Sequence, residues 1–238
     1  MKCKCGKPAP VELEYRGESM CAMCFNEMFE KRVRKTIRTN RLLRHDDRIA
    51  VAVSGGKKSA VLLYLLKNVN LMFPMQGLFA ITVYEGDMEG LKYAKNLCRK
   101  LDVKHYVIPG SAGGVSETLD TESEKLNATK IAVGHDLDEG VVSAIGRLVS
   151  VGMKPAIRTS PPIIINPLRD CSDEEVLRFA MINEIVFAKS ALKDSLHAAI
   201  KNLINEIEQR HHGAKFQMSK SAGELKNLLN QTFQDSFG

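Results

Sequence analysis

Ser54, Gly55, Gly56, Lys57, Lys58 and Ser59 set a hydroxyl, two glycines, two ammonium groups and a second hydroxyl in consecutive positions. An apolar, β-branched run (Ile49, Val51, Val53) precedes them and Ala60-Val-Leu-Leu-Tyr64 follows. That order predicts a buried strand, a sharp turn and a helix. Glycine lets the turn take positive φ and lets a ligand come close, while the free N–H groups at the start of the helix attract an anion such as phosphate. The same order also fits an ordinary packing corner between a strand and a helix.

A second group with chemical potential opens the chain. Cys3 and Cys5 form one close pair and Cys21 and Cys24 another, with a short polar stretch between them that reads as a β-hairpin. Four thiolates complete a tetrahedral Zn²⁺ shell, and so small a segment gains its folding energy from the metal. The expectation is a structural zinc. Free or disulfide-bonded thiols are the alternative. Cys98 and Cys171 stand alone and read as free thiols.

Phe25, Phe29, Val33 and Ile37 recur every four residues, which predicts one apolar stripe on a helix over about Phe25 to Arg44. Lys31, Arg32, Arg34, Lys35, Arg38, Arg41 and Arg44 lie along it with no acid among them from Lys31 onward. A solvated helix face would ordinarily mix in acids. This run suits a phosphate backbone, an interaction that ignores base sequence and weakens with salt. The net charge of +6 and the pI near 9.0 permit such a partner.

The elements that must position these groups alternate. Gly77–Val83, His105–Ile108, Lys130–Val133 and Ile163–Ile165 read as strands, with a helix over Gly90–Leu101 and further helices after Ser172 and over 189–210. Strands alternating with helices indicate an α/β fold, a doubly wound parallel sheet of Rossmann-like type whose ligands sit at the carboxyl ends of the strands. Gly134-His135-Asp136-Leu137-Asp138-Glu139 follows the fourth strand, and Asp138 there could also be a helix N-cap. Four parts follow: a zinc finger over 1–27, a basic linker helix over 28–47, a nucleotide-binding domain over 48–185 and a helical part over 186–238. No stretch approaches the roughly 18 continuous apolar residues of a membrane helix, and the charged start carries no apolar signal segment. A cytoplasmic protein is expected.

The loop resembles SGGxDS, the pattern of the PP-loop ATP pyrophosphatases. VAVSGGKKS after a finger and a basic helix is similar to the branch that makes 2-thiouridine in tRNA, which reads VAVSGGKDS. The resemblance covers residues 1 to about 230. It implies that ATP or AMP binds along Ser54, Gly55, Gly56, Lys57, Lys58 and Ser59. It implies too that backbone near Ala80, Ile81 and Thr82 receives the adenine, and that Gly134 and His135 approach the nucleotide. GHDLDE resembles the family's GHNxDD, and Asp138 matches an aspartate that faces Mg²⁺ or the phosphates. Pro167-Leu168-Arg169 resembles the family's PLR turn. The basic helix, with Lys31, Arg32, Arg34, Lys35, Arg38 and Arg41, would meet tRNA.

The chain departs from that pattern in four places. Lys58 stands where the family has an aspartate that helps hold Mg²⁺; Asp136 replaces Asn and Glu139 replaces the second Asp. The family's CxxC between the third and fourth strands is missing, and Val186–Leu192 carries no cysteine where another is expected. An iron–sulfur cluster is therefore not expected. The function read from this is an adenine-nucleotide- and tRNA-binding protein, catalytically impaired, partnered by a cysteine-complete thiolase paralogue or by a second copy of itself. The alternatives are an active ATP-dependent 2-sulfurtransferase with an external sulfur carrier, and a zinc-stabilised RNA-binding or nucleotide-sensing module.

Overall fold

The computed structural model describes residues 2–13, 17–150, 162–189 and 195–235. Two short strands, β1 (Val11–Leu13) and β2 (Glu18–Met20), pair antiparallel between the two cysteine pairs. Helix α1 (Ala22–Thr39) follows at once, its N-cap Cys21 accepting a hydrogen bond at Sγ from the Cys24 N–H. The second cysteine pair and α1 thus overlap at Cys24. Val11 and Leu13 of the hairpin also belong to the same apolar cluster as the α/β core.

The core alternates strand and helix as read: β3 (Arg48–Ala52), α2 (Lys57–Met72), β4 (Gly77–Tyr84), α3 (Met88–Lys100), β5 (Lys104–Pro109), α4 (Gly114–Lys125), β6 (Lys130–Ala132), α5 (Leu137–Ser150) and β7 (Ile163–Ile165). All neighbours pair parallel, in the order β5-β4-β3-β6-β7. The order reverses between β3 and β6, so their following loops splay apart and leave a crevice at their carboxyl ends. α6 (Asp173–Ile182), α7 (Ser195–Arg210) and α8 (Ala214–Asp235) complete the chain.

Side-chain alternation along β3 explains the two layers. Ile49, Val51 and Val53 face one cluster with Leu62, Leu66, Ala94 and Phe179, whereas Ala50 faces another with Phe79, Ile81, Leu119 and Ile131. Almost every residue of α2 from Ser59 to Leu66 is buried, so this helix is the central one. α6 packs on it, and α1 packs on α6 through Phe29 and Phe179, whose ring centroids are 4.6 Å apart. The stripe on α1 is Phe25, Phe29 and Val33, with Ile37 partly buried against the same core; Thr36 is buried beside them, its Oγ1 donating to Asp170 Oδ2 at 2.5 Å.

One stretch differs from expectation. The cysteine-free connection after Pro109 carries no predicted secondary structure, yet Gly114–Lys125 is helix α4. Its only buried positions are Thr118, Leu119 and Ser123, too sparse a stripe to announce a helix. The predicted helix over 189–210 is observed from Ser195; residues 190–194 lie outside the described residues.

Candidate functional site

The loop after β3 is folded by its own polar groups. Ser54 N–H donates to Ser59 Oγ at 3.2 Å, and Ser59 Oγ donates to the Gly56 carbonyl at 3.0 Å. Gly55 has φ of +86°, and a Cβ there would run into the Gly90 carbonyl at the start of α3. Gly134, after β6, packs against the first turn of α2; a Cβ would lie 2.9 Å from Ser59 N. Both glycines therefore serve close backbone packing that seats the loop. Ala188 N–H donates to the Gly55 carbonyl at 2.9 Å and pairs in parallel with Gly56. The chain after α6 thus returns to the loop, a relationship invisible in the sequence.

Both loop lysines are engaged. Lys57 Nζ is 2.9 Å from Asp173 Oδ2. Lys58 Nζ lies 2.7 Å from Asp136 Oδ2, 3.3 Å from Glu139 Oε1 and 3.3 Å from Asp173 Oδ1. Burial works against the Lys58 charge, but Asp136, Glu139 and Asp173 outweigh it and hold the ammonium above its ordinary range. Asp136 is completely buried; burial raises its carboxyl to about 7 against the pull of Lys58. Asp173 is buried enough to raise it too, yet the hydrogen bond from Lys57 and the charges of Lys58, Lys57 and Lys201 hold it well below the usual carboxylate range.

The two aspartates of the β6 loop divide the work differently from expectation. Asp136, not Asp138, caps α5, its Oδ1 accepting from the Glu139 N–H at 2.9 Å. Asp138 Oδ2 instead accepts from the Asp173 N–H at 2.8 Å, and its Oδ1 pairs with Lys215 of α8. His135 is exposed beside them.

Ala80 and Ile81 lie inside the ladder, paired with β3 on one side and β5 on the other. Pairing with β3 ends at Ile81, while pairing with β5 runs on to Tyr84. Backbone overhanging the loop is therefore that of Thr82–Tyr84. The Thr82 hydroxyl donates to the Val53 carbonyl at 2.6 Å and lies 2.8 Å from His105 Nε2.

Cys3, Cys5, Cys21 and Cys24 converge, with all four sulfurs within 4.8 Å of one another. Gly6 supplies the tight turn with φ of +87°. Backbone N–H groups of Cys5 and Cys21 lower the Cys3 thiol to about 6, whereas bonding to Cys21, Cys5 and Cys3 pushes Cys24 up to about 12. Sulfurs this close share protons unless a cation neutralises them. Cys98 and Cys171 are buried elsewhere, and burial raises both thiols.

On α1, Lys31, Arg34, Lys35 and Arg38 are exposed, as are Arg41 and Arg44 just beyond it. Arg32 departs from this set. Its guanidinium turns inward to Glu175 Oε2 at 2.6 Å and the Asp170 carbonyl at 3.3 Å, with the Phe216 ring 5.8 Å away.

The chain is 25% identical over 99% of its length to a tRNA-5-methyluridine(54) 2-sulfurtransferase of Pyrococcus horikoshii, covering 86% of that protein. It is 24% identical to the tRNA 2-thiolation protein NcsA of Haloferax volcanii, covering 98% of this chain and 89% of the other. These relatives, matched over nearly the whole chain, are tRNA 2-thiolation and sulfurtransferase proteins. The fold agrees: the U34-tRNA thiolase NcsA from Methanococcus maripaludis superposes with a TM-score of 0.85 over 95% of this chain and 87% of that one, at 23% identity. No family model matches the chain. That thiolase structure holds a [4Fe-4S] cluster, the group left out of the expectation for this chain. Among the described residues here, the only convergent cysteines are the four of the finger.

Proposed function

We propose that this member of the tRNA 2-thiolation family binds adenine nucleotide and tRNA without inserting sulfur itself, and acts beside a cysteine-complete thiolase. The observation that carries this reading is Ala188. It sits on the loop, its N–H bonded to Gly55, in the segment where the family resemblance expects a thiol, and it offers a methyl group. The connection between β5 and β6, where the family has CxxC, supplies a helix without cysteine. Sulfur transfer needs a nucleophilic or cluster-bound sulfur at the nucleotide, and neither segment provides one.

Nucleotide binding rests on the crevice between β3 and β6. In this reading Ser54, Gly56, Lys57 and Ser59 at the start of α2 take the phosphate, and the Thr82–Tyr84 backbone, which runs on beyond the pairing with β3, takes the adenine. The exposed cations Lys31, Arg34, Lys35, Arg38 and Arg41 form the tRNA face; Arg32 helps to anchor α1 on α6. Cys3, Cys5, Cys21 and Cys24 would hold one Zn²⁺, a closed four-thiolate shell that fixes the finger and does no catalysis. The protein works in the cytoplasm in this reading, where Cys98 and Cys171 stay reduced.

Three measurements test this. Calorimetry with AMP and ATP should show saturable binding, and gel shift should show tRNA binding that weakens steeply with salt. Metal analysis should give about one zinc per chain; stoichiometric iron would contradict the finger assignment. Affinity purification from the native host should recover a paralogue carrying the CxxC, and recovery of the chain alone or with a second copy would remove the partner role.

A further inference from the structure

The Mg²⁺ that the family resemblance implies does not fit the residues present. A divalent cation needs several oxygens around an open position. Here that position is filled by the ammonium of Lys58, which touches Asp136, Glu139 and Asp173 from three directions. Asp138, the other carboxylate expected to face metal, is turned to Lys215 and to the Asp173 N–H.

We propose that Lys58 and Asp136 are a paired charge exchange that replaces the divalent cation of the nucleotide site with a permanent ammonium. Relative to SGGxDS and GHNxDD, the loop after β3 has exchanged an acid for a base and the loop after β6 a neutral amide for an acid. The two new side chains meet across neighbouring strands at 2.7 Å. A lysine alone at this place would face Glu139 and Asp173. Asp136 adds a carboxylate with no solvent-exposed surface. Its Oδ1 caps α5, and its buried Oδ2 has no well-directed hydrogen bond, so the ammonium beside it is the group that compensates that oxygen. A fixed ammonium supplies positive charge next to the phosphate cradle but, with no free coordination positions, cannot bridge two phosphate oxygens as a metal does. The site then holds a nucleotide without free Mg²⁺.

This inference rests on the nucleotide-binding reading, and the test separates the two. First, Mn²⁺ binding is titrated by electron paramagnetic resonance with no nucleotide present. The wild-type chain should bind no Mn²⁺ at this site, whereas the Lys58→Asp/Asp136→Asn double variant should bind one ion; an ion bound by the wild type, or none bound by a folded double variant, would overturn the exchange. Second, AMP and ATP affinities of the wild type are measured by calorimetry in EDTA and in excess Mg²⁺. Affinities within about threefold support the built-in cation, and a more than tenfold requirement for Mg²⁺ refutes it. Absence of nucleotide binding under both conditions refutes the nucleotide-binding reading instead, and the Mn²⁺ titration then decides the exchange by itself. If the double variant does not fold, the wild-type Mn²⁺ and Mg²⁺ measurements decide alone.

Discussion

Lys58 Nζ lies 2.7 Å from Oδ2 of Asp136, the one carboxylate with no exposure at all among the three that surround this ammonium. Breaking one side of a buried pair leaves an uncompensated charge and typically costs about 3–5 kcal/mol. Lys58→Met should therefore lower stability by about 3 kcal/mol in urea titrations. Asp136→Asn removes the orphaned charge, so the Lys58→Met/Asp136→Asn double variant should be more stable than the sum of the two single losses predicts. Strict additivity would mean that the two side chains do not interact.

Asp136 also sets a pH dependence. Its folded pKa is raised to about 7, so the stability it contributes is complete below its unfolded value near ~3.9 and declines as pH rises toward about 7. Lys58, Asp138 and the Glu139 N–H act on it; Asp173, which shares Lys58 with it and is held low, acts in the acid range instead. Between about pH 4 and 7 the wild type should lose stability relative to Asp136→Asn. Parallel curves would contradict the assignment.

Gly55 is the backbone pivot of the loop. A side chain there meets both the strain of φ at +86° and the Gly90 carbonyl. Gly55→Ala should weaken AMP binding more than tenfold while the far-ultraviolet circular dichroism of the sheet and helices is kept. Unchanged affinity would show that the loop does not hold the phosphate.

The exposed cations of α1 separate binding from stability. Reversing Arg34, Lys35 and Arg38 to Glu should weaken tRNA binding and reduce its salt slope by about 0.7 to 0.9 for each phosphate no longer neutralised. Arg32→Ala should instead lower the melting temperature, because it removes the cation paired with the buried Glu175 carboxylate. If the triple reversal left tRNA affinity intact, the tRNA face would lie elsewhere.

How much of this was legible in the sequence follows from what each signal depends on. β3 and α2 were legible because Ile49–Val53 and Ser59–Leu66 are locally patterned for full burial, and the glycines punctuate them. The four cysteines were legible through spacing. Helix α4 was not, because its face buries only a few small residues. Nor were the partners of Lys58. Ser172–Glu175 reads as a helix cap, and it is one, yet the same turn carries Asp173 to both loop lysines. Lys215 meeting Asp138 joins residues far apart in the chain, and no local pattern encodes that pairing. The inward turn of Arg32 had a partial signal, since it lies one residue from Val33 of the buried stripe.

The central claim is that the site holds a nucleotide and does not use it to insert sulfur. Its most direct test is a single incubation of purified protein with ATP, Mg²⁺, unmodified tRNA and sulfide, reading pyrophosphate release and 2-thiouridine together. The account predicts nucleotide and tRNA binding with both products at background. Release of pyrophosphate with stoichiometric 2-thiouridine would contradict it.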